Sequence, residues 1–227
     1  MSWGIEFDPV NVETDPGGRE ALARLGVPLV PAVALGERAV HGWNPAGYAA
    51  LLGVRHAPPA ALPPATLAAR LDRILEATQQ LLTPLDARHL DSTPPERDRT
   101  LRDLAYHVFR LALAFVDGMD VGELPERWLQ ERAPADLRDG AAIGRYGALV
   151  RGRIGGWFEG AAPGEFARVI RVYYGPQSGH ELLERTTWHA AQHLRQLHVL
   201  VGRLGVAPAV ALPVDAFDGL PLPEALW

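Results

Sequence analysis

Apolar positions recur three and four apart over four long stretches of the chain, and this spacing predicts helices over roughly Ala65–Leu82, Thr100–Gly118, Ala141–Phe158 and Gly179–Leu204. Four amphipathic helices of this length predict a bundle, each burying its apolar stripe against the others. Upstream the pattern changes. Ile5–Val12, Val27–Leu35 and Arg38–Trp43 read as strands, and Gly17–Leu25 and Pro45–Leu52 as short helices, which gives a β-α-β-β-α order. Four prolines in the seven residues Pro58–Pro64 forbid a continuous helix there and predict a stiff extended linker. The predicted organisation is therefore an N-terminal domain over 1–54, a linker over 55–64, a bundle over 65–204 and a tail over 205–227 laid across a surface. Phe166–Tyr174 is too β-branched and aromatic for a helix and predicts an extended connection ended by Gly175-Pro176. The fold class is α+β, mainly α.

Composition narrows function by exclusion. The 227 residues are 48% hydrophobic and 22% charged, with a net charge of -5 and no basic cluster, which disfavours a nucleic-acid binder. No lysine is present, so arginine carries all the side-chain positive charge outside histidine. With no cysteine there is no disulfide, thiolate ligand or cysteine nucleophile. Neither a secretory leader nor an apolar run of membrane-spanning length is visible, so the expected location is the cytoplasm.

Candidate chemistry concentrates on the last helix. In Trp188-His189-Ala190-Ala191-Gln192-His193 two imidazoles stand four residues apart, one above the other on a helix, where both can reach one ion at about 2 Å. The stripe Leu183, Ala190, Leu194, Leu197 and Val201 marks the buried face, with His193 inside its border and His189 beside it. Ala190 replaces the glutamate of the H-E-x-x-H metalloprotease motif, so that chemistry is excluded. Such a pair is also found as ordinary structural histidines. A third histidine, His107, sits beside the stripe Leu101, Leu104, Val108, Leu111 and Phe115 of the second bundle helix. Three histidines on facing helices would leave coordination positions open, the pattern of catalytic rather than structural sites. Asp103, one turn before His107, is either an acceptor for its outer ring proton or a solvated helix residue. His180, near the start of the last helix, is a candidate for the site's mouth, and Tyr106, Trp188 and Gln192 are candidates for its walls by adjacency. His41, His56, His89 and His198 have no comparable partners.

The stretches Asp103-Leu104-Ala105-Tyr106-His107 and Trp188-His189-Ala190-Ala191-Gln192-His193-Leu194-Arg195-Gln196-Leu197 resemble the DinB-like superfamily of four-helix bundles, over about residues 65–204. The resemblance implies one divalent metal ion on His107, His189 and His193, zinc or nickel first and iron or copper as alternatives, and often a homodimer. It also implies a class of chemistry. Some relatives are S-transferases or isomerases using a low-molecular-weight thiol such as bacillithiol, mycothiol or glutathione on a small electrophile. The competing expectation is a non-enzymatic metal- or ligand-binding stress-response protein on the same scaffold.

The segment before the linker resembles the later part of a glutaredoxin-like thioredoxin fold. Val30-Pro31 is similar to that family's Val-Pro turn with a cis proline, and Gly42-Trp43-Asn44-Pro45 to its glycine-containing turn. The redox cysteine motif and the elements around it are absent, so the resemblance implies an incomplete, non-redox domain. It either holds part of a thiol, through backbone groups near Val30, Pro31 and Asn44, or serves only as a packing or dimerisation module.

Overall fold

Asn44 and Pro45 open one of the short helices with two local devices: the Asn44 side chain accepts from the Gly47 N–H at 2.8 Å, and Pro45 stands where no amide hydrogen is needed. The computed structural model describes residues 3–12, 14–27, 30–42, 44–57, 60–95 and 99–226. It divides into two units, Met1–Pro59 and Ala60–Trp227. Of the positions in the predicted strands, Glu13 aside, Pro28, Leu29 and Trp43 lie outside the described residues, as do Pro58 and Pro59 of the linker.

The first unit contains α1 (Pro16–Arg24), β1 (Ala32–Leu35), β2 (Arg38–His41) and α2 (Pro45–Leu52). The strands form an antiparallel hairpin in the register Ala32↔His41 to Leu35↔Arg38, turned at Gly36 with φ 61°. The expected strand over Ile5–Val12 does not form. Phe7 is 79% exposed and Val10 53%, and the stretch pairs with neither strand, so alternation without a partner edge builds no ladder. The order among the described residues is thus α-β-β-α rather than β-α-β-β-α. The Val30-Pro31 peptide is cis, and the Pro31 carbonyl accepts from the Gly42 N–H at 2.8 Å.

The second unit is built on α3 (Pro64–Leu82), α5 (Leu101–Val121), α6 (Gly140–Gly160) and α7 (Gly179–Arg203), with the short α4 (Ala87–Leu90) between the first two. α3 and α5 each pack against both α6 and α7, so the four helices enclose one core. Leu71, Ile74 and Leu81 of α3, Val108 and Phe115 of α5, Ile143 of α6, and Leu183, Ala190 and Leu197 of α7 are fully buried in it. Side-chain caps open α5 and α7. The Thr100 hydroxyl accepts from the Asp103 N–H at 3.1 Å, and Ser178 and Glu181 form a reciprocal capping box at the start of α7. α5 runs one turn past the predicted end at Gly118. That glycine instead lets the helix pass close to Leu124, and the cap falls on Gly122 with φ 82°.

Between α6 and α7 the chain is more ordered than an extended connection. A 3-10 turn at Pro163–Ala167 leads into β4 (Val169–Val172), which pairs in parallel with β3 (Glu123–Leu124) and antiparallel with β5 (Gly175–Ser178). Gly175-Pro176 therefore opens a return strand rather than ending the segment. Pro176 is tolerated because β5 is an edge strand. The tail beyond α7 is anchored: Ala216 and Leu220 are buried in the bundle's core, and Asp215 accepts a bidentate pair from Arg73 of α3. No helix among the described residues is long and apolar enough to cross a membrane.

Candidate metal centre

His107 lies in the second turn of α5, and His189 and His193 stand one turn apart in the middle of α7, where α5 and α7 pack together. The i, i+4 spacing puts the α7 rings on one face, 4.6 Å between centroids. The His107 ring meets them edge-on, at 5.6 Å from His189 and 5.1 Å from His193. One candidate nitrogen from each ring lies within 4.8 Å of the other two. Nitrogens sharing one ion at about 2.0–2.1 Å stand roughly 3–3.4 Å apart, a separation of the same order as the one found here. His107 and His193 are buried, at 6% and 5% exposure, whereas His189 is half-buried and forms the side nearest the exterior.

The donor chemistry fits a divalent transition metal. Three imidazoles supply neutral, borderline-soft nitrogens. The group comprises these three histidines and no carboxylate among the described residues. His193 has its outer nitrogen engaged: Nδ1 lies 2.8 Å from Gln196 Oε1, so Nε2 is the nitrogen available to an ion.

A scan of family models matches the DinB superfamily over residues 70–197, more than half of the chain and inclusive of all three histidines. The chain belongs to the DinB superfamily. A solved structure of a DinB-like protein from Bacillus subtilis superposes with a TM-score of 0.51 at 18% identity, covering 65% of this chain and 95% of that one. At that identity the likeness concerns the fold alone. Comparison with curated proteins finds no significant match. The superfamily match and the three-histidine group together are compatible with a divalent metal in this DinB-family chain.

The remaining candidates are distributed differently from their sequence adjacency. Trp188 does flank the centre, its ring 5.7 Å from that of His189, and the Arg185 guanidinium lies 5.6 Å above it. Tyr106 faces away from the trio. Its ring stacks on Tyr146 at 5.3 Å, and its hydroxyl donates to Glu131 at 3.3 Å, because a residue next to His107 on a helix is rotated about 100° from it. Gln192 gives its amide N–H groups to the carbonyls of Ala225 and Leu226 at 3.2 and 2.8 Å. His180 holds the linker's end, its Nε2 2.8 Å from the Leu62 carbonyl, about 13 Å along the helix axis from His189. Val30, Pro31 and Asn44 belong to the other unit. His89, without a partner in the sequence reading, completes a capping box with Asp86.

Asp103 is neither solvated nor given over to His107. It is buried, and it accepts from the Ala133 N–H at 2.9 Å while Arg132 approaches at 3.7 Å, fixing the connection between α5 and α6. Two turns on, Arg110 does the same. Its guanidinium donates to Glu131 at 2.7 and 3.3 Å and to Asp117 at 3.3 Å. The Arg110 hydrogen bond holds the Glu131 carboxyl below the usual carboxylate range, against a smaller opposing effect of burial. Burial, and secondarily the Glu131 charge, pushes the Tyr106 phenol up. This polar seam ties α5 to the connection that follows it, on the helix face that adjoins His107. Sequence reading missed Gln196, which stood in a quoted motif without a role; its spacing of three residues from His193 was the available signal.

Proposed function

We propose that this DinB-family chain holds one divalent metal ion on His107, His189 and His193 and uses it to activate a low-molecular-weight thiol, or water, toward a small electrophile. The observation that supports this reading is a three-imidazole set with no fourth protein ligand among the described residues, half-open at His189. When bound, such an ion supplies Lewis acidity that lowers the pKa of a thiol or water near it. The chain contains no cysteine, so a thiol taking part must come from solution.

The residues divide the work. His107 and His193 form the buried floor, where exclusion of water strengthens every electrostatic interaction with a reacting group. Gln196 Oε1 stands 2.8 Å from His193 Nδ1 and holds the ring's outer side. Trp188 presents an aromatic wall beside the half-open His189, suited to the apolar part of a small substrate. Zinc and nickel fit this donor set first, with iron and copper as alternatives.

The test is elemental analysis of protein purified without added metal, followed by addition of millimolar bacillithiol, mycothiol or glutathione to the cobalt-loaded form. About one metal per chain and a changed visible spectrum with one of the thiols are expected. Metal without any spectral response would remove the thiol and favour water activation or a binding protein; no metal would remove the centre.

A further inference from the structure

Gln196 links His193 to a stretch of chain thirty residues away. It is 1% exposed, and its side chain bonds in two directions, Nε2 to the Leu226 carbonyl at 2.6 Å and Oε1 to His193 Nδ1 at 2.8 Å. The two bonds determine each other. A backbone carbonyl can only accept, so the amide nitrogen must face Leu226 and the amide oxygen must face the histidine. An amide oxygen can only accept in turn, so the proton sits on Nδ1 and the lone pair on Nε2.

Leu226 is itself held. Gln192 donates to the Ala225 and Leu226 carbonyls at 3.2 and 2.8 Å, and its own oxygen accepts from Arg195 at 2.8 Å. Arg195 donates to the Pro223 carbonyl at 2.8 Å and to the Glu224 carbonyl at 3.3 Å. Four successive carbonyls, 223 to 226, thus receive donors from residues 192, 195 and 196. These three residues share a face of α7 adjoining that of His189 and His193.

We propose that the 223–226 segment is a strap that fixes the tautomer and orientation of His193 through Gln196, so that metal affinity depends on the strap's being seated. Gln196, Gln192 and Arg195 are then positioning residues, and the claim about affinity rests on the metal reading above. The tautomer claim does not, since it concerns the metal-free protein. The strap is recognised through its backbone carbonyls, so side-chain changes at Glu224 or Ala225 should be tolerated while loss of the α7 donors should not.

Two measurements on full-length protein test this. In the metal-free protein at neutral pH, long-range proton–nitrogen correlation spectra should show His193 protonated on Nδ1. In Gln196→Leu, and to a lesser degree in the Gln192→Ala/Arg195→Ala double variant, a mixture of tautomers should appear. Competition with a chromogenic chelator should show zinc bound about tenfold more weakly in Gln196→Leu, with the double variant between it and wild type. If Gln196→Leu does not fold, the double variant carries both readings, since it leaves Gln196 and His193 in place. An Nε2-protonated His193 in the wild type, or tautomer and affinity unchanged in both variants, overturns the strap. The expected tautomers in a protein that binds no zinc would uphold the strap's hold on His193 and discard the metal reading alone.

Discussion

The ring of Phe109 occupies the space where a side chain at Gly147 would have to stand: a Cβ built on that glycine would come within 2.6 Å of the ring. α5 and α6 can approach so closely only because residue 147 has no side chain. Phe109 is fully buried and is met edge-on by Tyr146, so it has little room to yield. Gly147→Ala brings two opposed effects. Removing a glycine from a helix gains about 1 kcal/mol, whereas overpacking typically costs about 1–3 kcal/mol. Net destabilisation is expected, with a lower denaturation midpoint. Gly152→Ala, where nothing lies within 4 Å of the added atom, should shift the midpoint upward instead. Equal shifts in the two variants would contradict the close approach.

The three histidines should behave as a unit. Replacing His193 with alanine leaves two ligands on an ion that would tie α5 to α7, so metal content should fall to near zero and added metal should no longer raise the melting temperature. Wild-type protein should be stabilised by about 2.7 kcal/mol at free metal one hundred times Kd. Unchanged stoichiometry by elemental analysis in His193→Ala would rule out the centre as described.

The Arg110–Glu131 pair makes a prediction in pH. The folded-state pKa of Glu131 is depressed below its unfolded value of about 4.3, so its contribution to stability is fully present above that value and is lost as pH falls through the folded pKa. Glu131 is 42% exposed, and solvent screening limits the expected contribution to about 1 kcal/mol. Glu131→Gln should therefore lower stability near pH 7, and the difference from wild type should shrink as the pH is taken below about 4. Denaturant titrations at several pH values measure this. A difference independent of pH would show that the pair acts through shape and not charge.

Every residue of the bundle's hydrophobic core lies at or beyond position 62, and so do the three histidines. A protein lacking residues 1–59 should accordingly unfold cooperatively and bind metal with unchanged stoichiometry. If the first unit holds part of a thiol near Val30, Pro31 and Asn44, thiol affinity should drop in that protein while metal content stays the same. Equal thiol affinity would leave the first unit a packing role.

The bundle and its metal candidates were legible in the sequence because helical periodicity is a local property. The stripes through Val108 and Leu194 mark which faces of α5 and α7 are buried, and the fixed rotation per residue then places His107 and His193 at the border of the core. Caps at Thr100 and Ser178 are local too, and they set the helix starts. What depended on partners distant in the chain could not be read in this way. Ile5–Val12 has strand-like alternation but no edge to pair with, and Tyr106 and Gln192 adjoin the site in sequence yet serve Glu131 and the 225–226 backbone. Sequence determined the faces of each helix, because side-chain direction follows from backbone pitch alone. Only tertiary structure decided which tail reaches Gln196, which nitrogen of His193 faces inward and how near α5 stands to α6, because a hydrogen bond or a missing Cβ acts between atoms whose proximity no local rule specifies.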